Sequence, residues 1–474
     1  MLAKGAAYQQ DMAALNFPAV WVFEYFHILY IITLAPGQQL CYYIEIGNWK
    51  LNTGGLTYML DIVFIRENAE IVKKACIDKK MPADIDRLLE VDAALKAATT
   101  VVDEIRARRN TLSKSKDKSA EMIDEARNIK TVLAAEEEKQ KALRAEFDGL
   151  MLHVPSIPAE GVPIGAGEED NAELRRVGAP KVMDFEPKDH MELMEALDMV
   201  DVPRGVKVAG SRSYFLKNKA VILEMAVTRM VMDMLSARGF APMAVPQIVR
   251  YEAMQGTGYF PIGYEQAYKI TEDELFLIGT SEVPLVCFHQ DEILTKDEMP
   301  VRFAGMSTCF RREAGTYGKD TRGLYRVHQF QKVEQVVFCE ADQGKALELH
   351  NEILQNAEDI LQALELPYRV CAACTAELGI GQIRKHEVET WMPSRNAYCE
   401  THSCSTLGDF QARRANIRYR DESGKLRFVF TLNNTAIASP RILIPLIENH
   451  QNADGSIYIP VALRPYLGGV DKIS

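Results

Sequence analysis

The chain has 474 residues, more than one hydrophobic core usually serves, so two or three domains are expected. A hydrophobic fraction of 47% with 26% charged residues is that of an ordinary globular protein. The net charge of −11 excludes indiscriminate nucleic-acid binding but leaves room for a local basic patch.

Residues 1–58 look foreign to the rest. Phe17 to Leu34 is almost wholly apolar and near the length of a membrane span, yet Glu24 and His27 interrupt it. The segment has no Arg, and Asp11, Glu24 and Glu45 outnumber Lys4 and Lys50, unlike a mitochondrial transit peptide. It reads as an appendage unrelated to catalysis, with a membrane or interface anchor as the second reading.

From Ile85 the pattern turns periodic. Leu88, Val91, Leu95, Ala98, Val102, Ile105 and Leu112 fall at steps of three and four, interrupted by Arg109. After a polar stretch, Met122, Ala126, Ile129 and Leu133 resume the series, which passes through Glu136 and Gln140 to Leu143, Phe147 and Leu150. This heptad spacing predicts two packed helices joined as an antiparallel hairpin, an arm roughly 45 Å long at 1.5 Å per residue. Arg106, Arg108, Arg109, Lys114, Lys116 and Lys118 crowd its tip against few nearby acids in sequence. Taken alone, such a hairpin is a solvated spacer or dimer rod.

Pro155, Pro158 and Pro163 with Gly161, Gly165 and Gly167 predict a linker. Val221 to Arg238 predicts a helix stopped by Gly239, followed by an extended stretch with Pro242 and Pro246. The nine cysteines are scattered. Cys371 and Cys374 have CxxC spacing without a second pair or a His cluster, so they read as reduced thiols of a cytoplasmic protein.

Chemistry concentrates further on. Phe310-Arg311-Arg312-Glu313-Ala314-Gly315, then Asp320-Thr321-Arg322-Gly323-Leu324, then His328-Gln329-Phe330-Gln331-Lys332-Val333-Glu334 alternate guanidinium groups with carboxylates around one aromatic ring. Arginines grip phosphate and carboxylate bidentately, the acids suit amino groups, and Phe330 offers a face for a base. The combination fits a nucleoside triphosphate plus an amino acid. No Ser-His-Asp or Cys-His constellation stands out.

These strings resemble motif 2 of the class II aminoacyl-tRNA synthetases in its seryl-tRNA synthetase form. The resemblance runs from Met59 to the C-terminus and implies an α+β fold: an antiparallel coiled-coil hairpin arm on a class II antiparallel-sheet catalytic domain. It implies residues 59–165 as arm and linker and 166–474 as catalytic domain. The helix–strand–Pro stretch resembles motif 1 and implies a homodimer. The implied reaction joins L-serine to tRNA(Ser), and to tRNA(Sec) where present, through seryl-adenylate at the expense of ATP. The basic hairpin then becomes a tRNA-binding arm, and no membrane association is expected.

By the same resemblance Arg311 holds the α-phosphate and the serine carboxylate. Glu313 reads the adenine amino group, Arg326 lies near the pyrophosphate end, and Phe330 stacks on adenine. Arg441 closes the other face of the base and contacts the γ-phosphate. Glu400 and Ser403 match the Mg²⁺ ligands, and hard oxygen donors suit that ion. Thr280 and Glu282 match the serine-site strand, Glu334 the acceptor of the α-amino group, and Asn433 and Thr435 the pocket for the serine side chain. Singly, each residue is more often a solvated or ion-paired surface group; their order along the chain, with Arg311 in motif 2, Glu400 within Cys399–Ser405 and Arg441 within Ala438–Arg441, favours the site. Two departures stand out: Pro440 precedes Arg441 where Gly is common, and His386 replaces an aromatic residue. The alternatives are a synthetase-like paralogue that binds without catalysing, and an aminoacyl transferase to a carrier protein, whose kind lack the long arm.

Overall fold

The computed structural model describes residues 31–34, 38–41, 60–114, 119–315, 318 and 322–474. It divides into two compact units, Met1–Leu56 and Thr57–Ser474. In the first, the described residues are two strands, Ile31–Leu34 and Gln38–Cys41, paired antiparallel. The rest of the apolar run from Phe17 lies outside the described residues.

The second unit opens with short helices, Ile62–Glu67 and Ala69–Asp78, and then the arm. Helix α1 spans Ile85–Lys114 and α2 spans Ala120–Met151, 30 and 32 residues long. Ser119 caps α2 by accepting the Met122 amide. The heptad positions Leu88, Val91, Leu95, Ala98 and Val102 are buried, as their spacing requires. The polar intrusion at Gln140 has a partner across the hairpin: its Nε2 donates to Thr99 Oγ1 at 2.9 Å. At the root, Ile85, Leu88, Phe147 and Leu150 join the short helices in one apolar cluster.

The rest of the second unit is built on an eight-stranded sheet. Its strands are β1 (Ala172–Val177), β2 (Ala241–Ala244), β3 (Val301–Phe310), β4 (Gln329–Cys339), β5 (Tyr368–Ala372), β6 (Arg384–Met392), β7 (Ala397–Gly408) and β8 (Phe430–Ser439). The order across the sheet is β1-β5-β6-β7-β8-β4-β3-β2. Every pairing is antiparallel except that of β2 with β3. Helices α3 (Lys219–Ala237) and α4 (Gln343–Ala363) contribute Leu223, Val227, Leu349 and Ile353 to the main core, with Val333 and Val337 of β4. Gly239 stops the α3 segment at φ +82°.

Alternation along β4 makes the two faces of the sheet chemically different. Val333 and Val337 point into the core, whereas Phe330, Lys332 and Glu334 line a cavity on the opposite face. Two of the four register shifts in this sheet adjust this pattern. Between β6 and β7 the register shifts so that Val388 faces His402 and Glu389 faces Glu400, leaving Thr401 as the extra residue. Between β4 and β8, Val333 faces Ile437 and Glu334 faces Thr435, leaving Ala436 as the extra residue. Glu400 and Ser403, three apart, would otherwise point to opposite faces; with the bulge both line the cavity.

The linker packs closely on the sheet. A Cβ on Gly165 would come within 2.4 Å of Asp170 Cβ and 2.8 Å of Cys374 Cβ, so only glycine fits there. Cys371 and Cys374 are buried free thiols, and burial pushes the former up to about 12.

Candidate active site

The cavity has a volume of about 340 Å³ and gathers residues from far-apart strings. The end of β3 delivers Arg311, whose amide donates to the His328 carbonyl at 3.0 Å and closes the neck of the long β3–β4 loop. The Arg311 guanidinium lies 5.1 Å from the Phe330 ring centroid, and its Nε donates to the Gly279 carbonyl at 3.2 Å. Within the loop Arg326 Nη1 pairs with Glu313 Oε2 at 2.9 Å. Asp320 and Thr321, part of the quoted string, lie outside the described residues.

Arg441 enters just after β8. Pro440 sits in the turn before the helix Leu443–Asn449, and its carbonyl accepts the Leu443 amide at 2.9 Å. The Arg441 guanidinium lies 4.4 Å from the Tyr325 ring centroid. It donates to the Glu400 carbonyl at 3.2 Å and stands 3.6 Å from the Glu400 carboxylate. Burial alone would raise the Glu400 pKa, but Arg441, Lys385 and Arg311 outweigh it and hold the carboxyl below its ordinary value. Its side chain is 40% exposed, so the ionised carboxylate is open to the cavity.

Glu400 and Ser403 therefore present accessible oxygen donors, which fits Mg²⁺ better than a softer metal. Among the described residues there is no group of three or more His, Cys, Asp or Glu able to hold a metal. An ion here would need further oxygens from a substrate.

The deeper end of the cavity is acidic. Glu282 accepts from Tyr259 OH at 3.0 Å, Asn433 Nδ2 at 2.8 Å and Gln411 Nε2 at 2.7 Å. Burial raises its pKa, and the nearby Glu334 adds to the shift. Glu334 pairs with Lys332 and accepts from Thr435 Oγ1 at 3.3 Å. All the residues singled out in the sequence for ATP, serine and metal line this cavity, except Thr280. Thr280 is fully buried, and its hydroxyl turns back to accept the Glu282 amide at 3.2 Å. Tyr259, Tyr325, Lys332 and Lys385 also line the cavity and were missed; all but Lys332 lie outside or between the quoted strings. Lys332 stood within the quoted string and could have been found from its two-residue spacing to Glu334.

The arm tip differs from its reading in sequence. Arg106 pairs with Glu137 at 2.8 Å and Arg108 with Glu125 at 2.7 Å, both acids coming from the returning helix. Counting acids along one helix misses those on its partner. Exposed pairs of this kind are weak. Arg109 and Lys114 are exposed, and Arg127 and Lys130 of α2 join Arg109 around a shallow apolar hollow. Lys116 and Lys118 lie outside the described residues.

Two family models match this chain: the seryl-tRNA synthetase N-terminal domain over residues 59–158, and the tRNA synthetase class II core domain (G, H, P, S and T) over residues 266–450. A serine–tRNA ligase of Deinococcus radiodurans is 48% identical, the match covering 87% of this chain and 98% of that one. The chain belongs to the seryl-tRNA synthetase family. Another member, the serine–tRNA ligase of Trichlorobacter lovleyi, is 41% identical over 88% of this chain and all of its own length. Among solved structures, the seryl-tRNA synthetase of Pyrococcus horikoshii complexed with ATP superposes with a TM-score of 0.81. It is 36% identical, covering 87% of this chain and 99% of its own. The cytoplasmic serine–tRNA ligase of Naegleria fowleri in complex with AMP gives 0.79 at 31% identity, covering 88% and 99%. The α+β architecture, with its antiparallel class II sheet and N-terminal helical hairpin, is that of the seryl-tRNA synthetases.

Proposed function

We propose that the cavity activates L-serine with ATP to seryl-adenylate and passes the seryl group to tRNA(Ser), and to tRNA(Sec) where a cell contains it. The chain is a serine–tRNA ligase. The observation that carries the site assignment is convergence: Arg311, Glu400 and Arg441, from three separate strings, face one cavity with the acids Glu282 and Glu334 at its deeper end. An inactive paralogue would have no reason to keep that set together.

In the first step the serine carboxylate attacks the α-phosphorus of ATP and pyrophosphate leaves. Two anions must meet, so the chain contributes positioning and positive charge rather than a nucleophile. Arg311 sits where it can neutralise both the carboxylate and the α-phosphate, and Arg441 serves the distal phosphates. Phe330 and the Arg441 side of the cavity enclose the base, with Glu313 at its amino group and Arg326 toward the pyrophosphate. Glu400 and Ser403 would hold Mg²⁺, which when bound neutralises phosphate charge. Glu334 receives the serine ammonium, while Asn433, Thr435 and Glu282 surround its side chain. A buried pocket built around a hydroxyl rejects an analogue lacking it, by up to roughly 10⁴-fold or more.

In the second step a ribose hydroxyl at the tRNA 3′ end attacks the anhydride carbonyl and AMP leaves. Residues 59–165 serve as the tRNA arm and linker and 166–474 as the catalytic domain; 1–58 are an appendage. The protein works as a homodimer in the cytoplasm. In support, Ile222 and Met225 of α3 and Met306 of β3 are exposed at 48%, 62% and 42%, an apolar face suited to a second copy. Among the described residues no helix is long and apolar enough to cross a membrane.

The test is amino-acid-dependent exchange of pyrophosphate into ATP, followed by charging of tRNA(Ser). Exchange with serine and not with alanine or threonine is expected. Exchange driven by another amino acid would overturn the reading.

A further inference from the structure

Glu282 belongs to a chain of hydrogen bonds that begins outside the cavity. Gln411 lies in the short helix Phe410–Arg414, is fully buried, and does not line the cavity. Its Oε1 accepts from Thr431 Oγ1 at 2.7 Å. Its Nε2 donates to Glu282 Oε1 at 2.7 Å and to the Thr257 carbonyl at 3.3 Å. A carboxylate and a carbonyl on one side, with a hydroxyl donor on the other, allow only one orientation of this amide. Glu282 Oε1 also accepts from Asn433 Nδ2 at 2.8 Å, which leaves the Asn433 oxygen as the free end of that amide.

Resting on the serine-site reading above, we propose that Gln411 is a positioning residue that fixes Glu282 and, through it, the amide of Asn433, and so sets the hydrogen-bonding polarity of the serine side-chain pocket. Without the Gln411 donor, Glu282 Oε1 keeps one of its two buried donors and can turn or take up a proton, after which Asn433 can present either end to the substrate. The other groups acting on Glu282 are Glu334, which disfavours its charge, and Lys332 and Tyr259, which favour it. Gln411 also favours the ionised form, so its loss makes Glu282 easier to protonate.

Gln411→Met keeps the length and removes the amide. Serine-dependent pyrophosphate exchange should show a rise in KM for serine of about 10- to 100-fold, the scale of one hydrogen bond to a charged group, with KM for ATP little changed. The acid limb of kcat/KM for serine should move to higher pH, and preference for serine over alanine should fall. A lower melting temperature with unchanged serine KM, acid limb and discrimination would make Gln411 merely structural and overturn the proposal. Should Gln411→Met fail to fold, Thr431→Val frees the amide to rotate and should shift the same three readouts in the same direction; no shift there overturns the proposal equally. Glu282→Gln separates the two levels. If it leaves the serine KM unchanged, the serine-site reading fails; if it raises that KM while Gln411→Met does not, only the role of Gln411 falls.

Discussion

His402 Nε2 donates to the Ala436 carbonyl at 3.1 Å, and its Nδ1 lies 2.9 Å from Thr401 Oγ1. One buried imidazole thus ties together the extra residues of both bulges that shape the cavity wall. Burial lowers its pKa to about 4, so the ring is neutral at physiological pH. His402→Leu should leave the Ala436 carbonyl without this donor and cost about 1–3 kcal/mol of stability. Because Glu400 and Ser403 flank the bulge, pyrophosphate exchange should fall by more than folding does. His402→Gln, which retains a terminal amide donor, should recover part of both. Urea unfolding alongside exchange rates checks this, and equal behaviour of the two variants would contradict it.

Arg311 and Arg441 both line the cavity, and the proposed reaction gives each a share of the developing charge. Replacing either with Ala should lower kcat/KM for exchange by ~10²–10³-fold or more, the scale seen when one group stabilising a transition state is removed. Substitution of Arg441 should also let Glu400 titrate nearer its ordinary value, since Arg441 is the largest influence lowering it. Exchange by Arg311→Ala at the normal rate would refute the role given to it.

The arm should be separable from adenylate chemistry. Its root, with Ile85, Leu88, Phe147 and Leu150, belongs to a cluster that must be kept. Replacing residues 96–139 with a short flexible turn retains that cluster. Charging of tRNA should be lost while serine-dependent exchange stays near normal, because the role proposed for the arm is to hold RNA by shape and backbone charge. Parallel loss of both activities would assign the arm a structural role instead.

Lys79 anchors the arm-bearing segment to the linker and to the loop that leads into β6. It is 1% exposed, and Nζ donates to the carbonyls of Ser156, Ile380 and Gln382 at 3.2, 2.9 and 2.9 Å. Burial lowers its pKa to about 7 from an ordinary 10.5, against the pull of the three carbonyls, which only the ammonium can satisfy together. Between those values the unfolded chain binds the extra proton, so stability from this group is greatest above pH 10.5 and is lost as pH falls through 7. Wild type should therefore gain stability between pH 7 and pH 9.5 relative to Lys79→Met, by a few kcal/mol at most. Urea denaturation of both proteins at the two pH values gives the difference; parallel curves would show that Lys79 does not titrate in that window.

Much was legible in the chain because it depends on near neighbours. The 3–4 spacing from Leu88 to Val102 is a property of one helix, and it places those side chains on its buried side. The Gly239 stop and the Ser119 cap are equally local. The strings around Arg311 (Phe310–Gly315), Glu400 (Cys399–Ser405) and Arg441 (Ala438–Arg441) could be matched in order without knowing where they meet.

What tertiary structure alone decided is how those strings share one wall. Alternation puts Glu400 and Ser403 on opposite faces of a strand, and only the pairing of β7 with β6 creates the bulge that brings both to the cavity. The acids facing Arg106 and Arg108 come from the returning helix, so no count along α1 could supply them. Gln411 and Glu282 are 129 residues apart, and nothing local to either predicts a 2.7 Å hydrogen bond between them. Sequence periodicity reports which face of an element is apolar. It limits register to slips that keep that face inward, but not which strand pairs with which or where a bulge falls, and those turn matched residues into a site.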